Sequence, residues 1–345
     1  VGSATFWLIG QGDEQQTQIG EPYFGLVDES GKLNVNTVSL DMLQGLPRMT
    51  AELAGAIIDW RDSNDEVSEA GAESQTYLRR SPAYRCKNAN FESLDELRLL
   101  NGAYLDVLYG EDANLNGVLD PNENDGDISP PSDNQDGRLD AGILVWLTVY
   151  SRHPVTGTNV NQPQQLAPLL QEKFGTERAN QILARVGTDS GNVLQFYMRS
   201  GLTREEFVQI EGSLVGTNTI GLVNVNTASE AVLACLPGIG SEKASTLIAY
   251  RQSNPDKLNT VAWVKDALDE QNARQAGPWI TGRSYQFTAD VAAVGRFGRG
   301  YQRAKLVFDT SDGAPKVRYR QDLTHYGWAL GLNVRRNIEL ARNLR

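Results

Sequence analysis

The chain has 345 residues and a formal net charge of −11, with a pI near 4.8, so it is long enough for two or three domains with a real core. An acidic balance of that size argues against nucleic acid or an anionic membrane surface as a partner. Two cysteines, Cys86 and Cys235, cannot make a disulfide framework; the longest apolar run, Ile143–Tyr150, is too short to cross a bilayer, and no signal peptide is visible.

Ala4–Ile9 and Tyr23–Val27 are short, aromatic-rich runs separated by the polar segment Gly10–Gly20. They predict two strands. Helical patterns dominate from Thr37 to about Ala276, and they contain a repeat. Residues 31–61 align without a gap with residues 221–251 at a constant offset of 190, with identities that include Asn34/Asn224, Asn36/Asn226, Thr37/Thr227, Pro47/Pro237 and Arg61/Arg251. Gapless self-similarity of this kind marks a duplicated supersecondary unit.

The second copy makes the unit readable. Thr227 with Glu230 has capping-box spacing, and Val232, Leu233 and Leu236 share one helical face. Pro237-Gly238-Ile239-Gly240 breaks the helix, and Ser241 is placed to cap a second helix whose Ala244, Leu247 and Ile248 face back. The unit reads as a helix-hairpin-helix. Such hairpins bind phosphate when basic side chains flank their backbone N–H groups. Here Lys243, Arg251, Lys257 and Lys265 are balanced by Glu230, Glu242, Asp256 and Asp266, and the first copy has Pro47-Arg48-Met49-Thr50 in place of the glycines. The expectation is a packing module with no nucleic acid bound, because phosphate neutralisation supplies most of such affinity.

After the first hairpin, Asp62, Asp65, Glu66 and Glu73 are dense enough either to hold a hard cation or to be a solvated loop. Phe91–Leu100 predicts a short helix capped by Ser93. The sharpest motif follows. Asp112, Asn114, Asn116, Gly117, Val118, Asp120 and Glu123 fit the twelve-residue calcium-loop spacing, with Val118 offering its carbonyl and Glu123 two oxygens. Pro130-Pro131 follows instead of an exit helix. A partial second loop spans Ser132–Asp140, with Asn134, Asp136, Arg138 and Asp140 at ligand positions but Ser132 and Ile143 where carboxylates belong. Six or seven hard oxygens suit Ca²⁺ better than Mg²⁺.

Residues 142–150 read as strand or buried helix. Helices are predicted at 164–174, 177–186, 190–200 and 204–212, the last from a Thr203/Glu206 capping box. Tyr285, Phe287, Ala289, Val291 and Ala293 alternate as the apolar face of a half-buried strand, and Tyr301–Asp309 with Pro315–Arg320 flank the turn Ser311-Asp312-Gly313. Gly295–Gly300 fits a hairpin rim or a partner contact better than a nucleotide loop. His153 and His325 have no catalytic context, so no enzyme is expected.

Leu33–Thr37, Asp59-Trp60-Arg61-Asp62, Gly71-Ala72-Glu73, Pro82–Arg85, Phe91–Leu100 and Arg320–His325 together resemble the K-type minor pseudopilins of bacterial type II secretion systems. The resemblance implies an α+β, pilin-like fold: a small antiparallel β-sheet domain with a large inserted helical domain, here carrying two helix-hairpin-helix (SAM-like) repeats. On that layout residues 1–30 and 281–345 form the sheet domain and tail, and 31–280 the insertion with its acidic loops at 111–140. It further implies calcium in the helical domain and I-type and J-type minor pseudopilins as partners in a heterotrimeric complex. The implied setting is the periplasmic tip of an inner-membrane-anchored pseudopilus that assists export of folded proteins. The prepilin membrane helix of that family is absent from these residues. Phe6, Trp7 and Tyr23 are the guessed contact aromatics. The rival reading is a DNA-binding competence protein with the same hairpin; calcium-dependent adhesion is a weaker one.

Overall fold

The computed structural model describes residues 4–11, 22–187 and 190–343. The segment between the first two predicted strands lies mostly outside them. β1 (Thr5–Ile9) and β2 (Val27–Asp28) open the chain. Three parallel two-residue ladders follow: β3 (Leu33–Asn34) with β4 (Leu147–Thr148), β5 (Thr158–Asn159) with β6 (Leu214–Val215), and β7 (Val223–Asn224) with β8 (Ile280–Thr281). β9 (Gln286–Val294), β10 (Tyr301–Asp309) and β11 (Lys316–Asp322) form the meander predicted near the C-terminus. The sheet order is β1-β9-β10-β11, all antiparallel, with β2 also paired to β9. The two ends of the chain therefore share one sheet, and everything between β2 and β9 is inserted into it.

The insertion is helical. α1 (Leu40–Gln44) and α2 (Ala51–Arg61) make the first hairpin, followed by the single turns α3 (Ser74–Tyr77) and α4 (Leu105–Leu108). α5 (Pro163–Phe174), α6 (Thr176–Val186), α7 (Val193–Ser200) and α8 (Arg204–Glu211) occupy the four predicted spans. α9 (Glu230–Ala234) and α10 (Gly240–Ser253) make the second hairpin; α11 (Val264–Ala267) and α12 (Glu270–Ala276) follow it. One apolar core runs through both hairpins and these helices, taking in Leu43, Ile57, Phe196, Phe207, Leu233, Leu247 and Trp263.

The caps differ from the sequence reading. Ser229, not Thr227, caps α9 by accepting from Val232 N, and Ser39 does the same for Met42 N in the first copy. Thr227 instead donates to Asp28 at 2.6 Å, so tertiary contact has claimed the hydroxyl. α10 begins at Gly240 and Ser241 lies inside it, without a side-chain cap. Ser93 with Glu96 and Thr203 with Glu206 do form capping boxes, though the first opens a 3-10 helix, Leu94–Leu99. Residues 143–146 are 3-10 helix and lead into β4.

The buried face of β9 is also, Ala289 apart, the opposite of the one the alternation suggests. Gln286, Thr288, Asp290, Ala292 and Val294 are buried, whereas Phe287, Val291 and Ala293 are half-buried. The polar set is covered because the insertion and the neighbouring strand β10 supply its partners. Thr288 donates to Glu29 at 2.6 Å, and Gln286 donates to Asp309 at 2.9 Å and accepts from Arg152 N. Beyond β11, residues read as a tail form α13 (Gly331–Asn343), whose Val334 and Ile338 pack on a small second core of Ile9, Ala292, Val294, Ala329 and Leu330.

Candidate metal centre

The loop from Glu111 to Ala141 is pinched at its base, where Gly110 bridges Ala141 and Glu111 N donates to Asp140 O at 2.8 Å. Inside it the predicted residues converge. Asp112 accepts from Asn116 N at 2.9 Å and Gly117 N at 3.0 Å, so the backbone curls around the first-position carboxylate. Gly117 has φ +65, the left-handed turn that makes this curl possible without a Cβ penalty. Glu123 returns from a 3-10 turn and accepts from Ala113 N at 3.2 Å and Asp120 N at 2.9 Å. Asn114 and Asn116 both aim their amide N–H groups at one oxygen of Asp120, at 2.9 and 3.0 Å. Asn114 Oδ1 is buried with no hydrogen-bond partner.

Burial raises all three carboxyls of the loop. Burial lifts the Asp112 carboxyl to about 6, against the opposing pull of the Gly117 and Asn116 N–H groups and Arg303. Burial also lifts Glu123 to about 8, with the Asp112 and Asp120 carboxylates adding to it. Asp120 is raised by burial as well. Like charges gathered away from water favour protonation; a divalent cation among them would reverse the preference. The donor types suit a hard cation, since three carboxylates, the orphaned amide oxygen and the Val118 carbonyl are all hard donors, but the three carboxylates are not gathered within 4.8 Å of one another as Asp59, Asp62 and Glu73 are.

The second loop is different. Asn134 donates to Asp140 at 3.3 Å, copying the Asn114–Asp120 pairing, and Gly137 has φ +75. Asn134, Asp136 and Arg138 are exposed, and Asp136 Oδ1 accepts from Arg138 N at 2.8 Å. Asp140 is half-buried and paired with Arg48 at 3.4 Å. Water already solvates this set.

A further carboxylate cluster lies at the end of α2, where sequence alone left a solvated loop as likely an outcome as a cation site. Oxygens of Asp59, Asp62 and Glu73 all lie within 4.8 Å of one another. Gly55 lets the loop close on the helix: a Cβ there would sit 2.6 Å from Glu69 O and 2.7 Å from Gly71 N. Asp59 accepts from Ser68 N at 3.0 Å, and Glu73 Oε1 is buried without a hydrogen-bond partner. Burial raises the Glu73 carboxyl. Sequence reasoning missed Asp59, which reads as a helix residue; its spacing of three from Asp62 was the available signal. Asp65 and Glu66 are exposed and stand outside the cluster.

One residue that the motif did not flag ties the loop to the sheet. Arg303 of β10 is 1% exposed and donates to Asn114 O at 2.7 Å, Leu115 O at 2.6 Å and Asp290 Oδ2 at 2.6 Å. Its guanidinium fork spans loop backbone and strand carboxylate together.

The second hairpin tip is covered. A Cβ on Gly238 would lie 2.6 Å from Asn272 O and 2.7 Å from Gln275 Cβ, so α12 sits on the second tip. At the first tip Arg48 holds the equivalent left-handed conformation, φ 62, and donates to Asp106 O.

Residues 31–108 match the family model described as "Type II secretion system (T2SS), protein K", and residues 218–275 match a helix-hairpin-helix motif. The "Type II secretion system protein K" of Pseudomonas aeruginosa strain PAO1 is 33% identical over 98 residues, a match covering 24% of this chain and 29% of that relative. The chain thus spans less than a third of that relative's length. Among solved structures, the GspK-GspI-GspJ complex from the enterotoxigenic Escherichia coli Type 2 Secretion System contains a chain similar at TM-score 0.42 and 12% identity, over 88% of this chain and 81% of that one.

Proposed function

We propose that the chain is a type II secretion protein K, a pilin-like minor pseudopilin at the tip of the pseudopilus; the match of residues 31–108 to that family's model and the 33% identity over 98 residues support this reading. There it caps a complex with I-type and J-type minor pseudopilins on the periplasmic side of the inner membrane and assists export of folded proteins. The observation that carries this reading is the insertion between β2 and β9, whose first part is the stretch matched at 31–108. It covers the polar face of β9 and leaves the other face and one edge of the sheet for neighbours. Phe6, Phe24 and Leu26 stand there 55%, 55% and 57% exposed. The opposite edge, β11, presents Lys316, Arg318 and Arg320, charges of the kind that discourage strand pairing. Of the guessed contact aromatics Phe6 fits this role, whereas Trp7 packs on the small core.

Calcium is the second part of the reading. Asp112, Asn114, Asn116, Asp120, Glu123 and the Val118 carbonyl hold one ion, and Asp59, Asp62 and Glu73 hold another; bound there, calcium supplies the positive charge these buried carboxylates lack. The exposed Asn134, Asp136, Arg138 and Asp140 loop is the weaker site.

The test is co-purification with the periplasmic portions of the I-type and J-type subunits. A 1:1:1 species in light scattering that Phe6→Glu with Leu26→Glu abolishes is the expected result. A chain that stays monomeric with both and binds duplex DNA with a steep salt slope would move the assignment to the competence-type reading.

A further inference from the structure

The helix-hairpin-helix repeat has no task in the tip role, yet its geometry is specific. The two copies are wired alike. Asn36 N and Asn226 N each donate at 3.0 Å to the Asn two residues earlier, and Val38 N and Ala228 N each donate at 2.9 Å to Asn34 O and Asn224 O. Arg61 donates to Val35 O and Val38 O; Arg251 donates to Val225 O and Ala228 O, 190 residues on in every case. β3 and β7 each take one parallel two-residue partner.

The contacts between the copies follow the same arithmetic. A Cβ on Gly31 would lie 3.1 Å from Thr227 Oγ1, and one on Gly221 would lie 1.9 Å from Thr37 Oγ1. Since 31 + 190 is 221 and 37 + 190 is 227, a contact between positions i and j recurs as a contact between j and i. Reciprocity of that kind defines a closed two-fold contact; tandem stacking repeats i against j in one direction only. A third contact fixes the axis. A Cβ on Gly45 would lie 3.1 Å from Cys235 Sγ, and 45 + 190 is 235. A position that meets its own equivalent sits on the rotation axis.

We infer that this hairpin is a self-pairing protein module: its working face is a two-fold contact surface, and the partner it is built for is another copy of the same hairpin, supplied here from within the chain. The covered tip at Gly238 fits this, since α12 and not phosphate closes it. The inference stands independently of the tip role and of calcium.

The test uses the full chain with Cys86→Ser and Cys235→Ser. Thr37→Cys with Gly221→Cys, and separately Gly31→Cys with Thr227→Cys, are exposed to a mild oxidant. Both pairs are expected to form intrachain disulfides to similar extents, read by peptide mapping. Cross-linking of one pair and not the other, or only between chains, overturns two-fold pairing. Crowding at Thr37 can impair folding, so native-state hydrogen exchange on the unmodified chain gives a second reading. Residues 33–46 and 223–236 are expected to merge into one opening transition as urea is added. Two hairpins that open with separate urea dependences overturn it.

Discussion

At the residue scale, Glu123 sets two effects against each other. Its carboxylate is buried beside Asp112 and Asp120, so in the metal-free protein it destabilises, while under the proposed calcium reading it would be the bidentate ligand. Glu123→Gln is expected to leave the metal-free melting temperature level or raise it, and to remove the rise that millimolar Ca²⁺ is expected to give the unmodified chain. Differential scanning calorimetry with and without the ion checks both halves; a lower metal-free value contradicts the reading. His153 gives a pH dependence of known sign. Burial, with Arg283 beside it, lowers its pKa from 6.5 to about 4, so the folded state holds it neutral. The unfolded chain binds more protons between those values. The contribution is complete above pH 6.5 and lost as pH falls to 4, about 3 kcal/mol at most. Urea midpoints taken across that window should fall with acid, and His153→Gln should flatten the slope.

Elements are held by short polar devices that repeat. Ser39 and Ser229 accept from Met42 N and Val232 N at 3.3 Å each. Ser39→Ala and Ser229→Ala should each cost about 1 kcal/mol, and by the same amount, because the two caps sit in equivalent surroundings. Urea denaturation resolves a difference of that size. Arg251 reaches Val225 O at 3.1 Å and Ala228 O at 2.9 Å. Such paired carbonyls need a planar fork, so Arg251→Lys should recover little of what Arg251→Met loses.

For the whole molecule, the joint between insertion and sheet is polar and buried. Asp28 accepts from Asn224 Nδ2 at 3.0 Å and Thr227 Oγ1 at 2.6 Å, fastening β2 to the second hairpin. Its neighbour Glu29 accepts from Thr288 at 2.6 Å, and although burial alone would raise it, Lys32 and Lys305 with two threonine hydroxyls hold its carboxyl down to about 2. Arg303 is the third fastening. Arg303→Met strands Asp290 and should cost about 3–5 kcal/mol, with calcium affinity falling because the loop carbonyls at Asn114 and Leu115 lose their donors. Adding Asp290→Leu should return much of the stability and none of the affinity, which calorimetry on the two variants separates.

Local periodicity and spacing determined much of this. The four helices from α5 to α8, the β9–β11 meander, the duplication at 31 and 221, and the residues of the Asp112–Glu123 loop were all readable in the sequence. Each rests on forces acting within about a dozen residues: helical and strand periods, turn glycines, the oxygen spacing of one loop. Long-range contact decided the rest. Thr227 lost its cap to Asp28, β9 buried its polar face because Glu29 met Thr288 from the insertion while Asp309 and Arg303 met Gln286 and Asp290 from β10, and Asp59 became part of a carboxylate cluster when Gly55 let the loop return. The hydrogen-bonded pairs are separated by 13 residues for Asp290 and Arg303 and by 259 for Glu29 and Thr288, and no helical or strand period links them. A buried polar group takes its partner from wherever the fold brings one, so the spacing of the acidic loop could be read locally, and its attachment to the sheet, like the contacts between the two hairpins, appeared only once the chain had closed on itself.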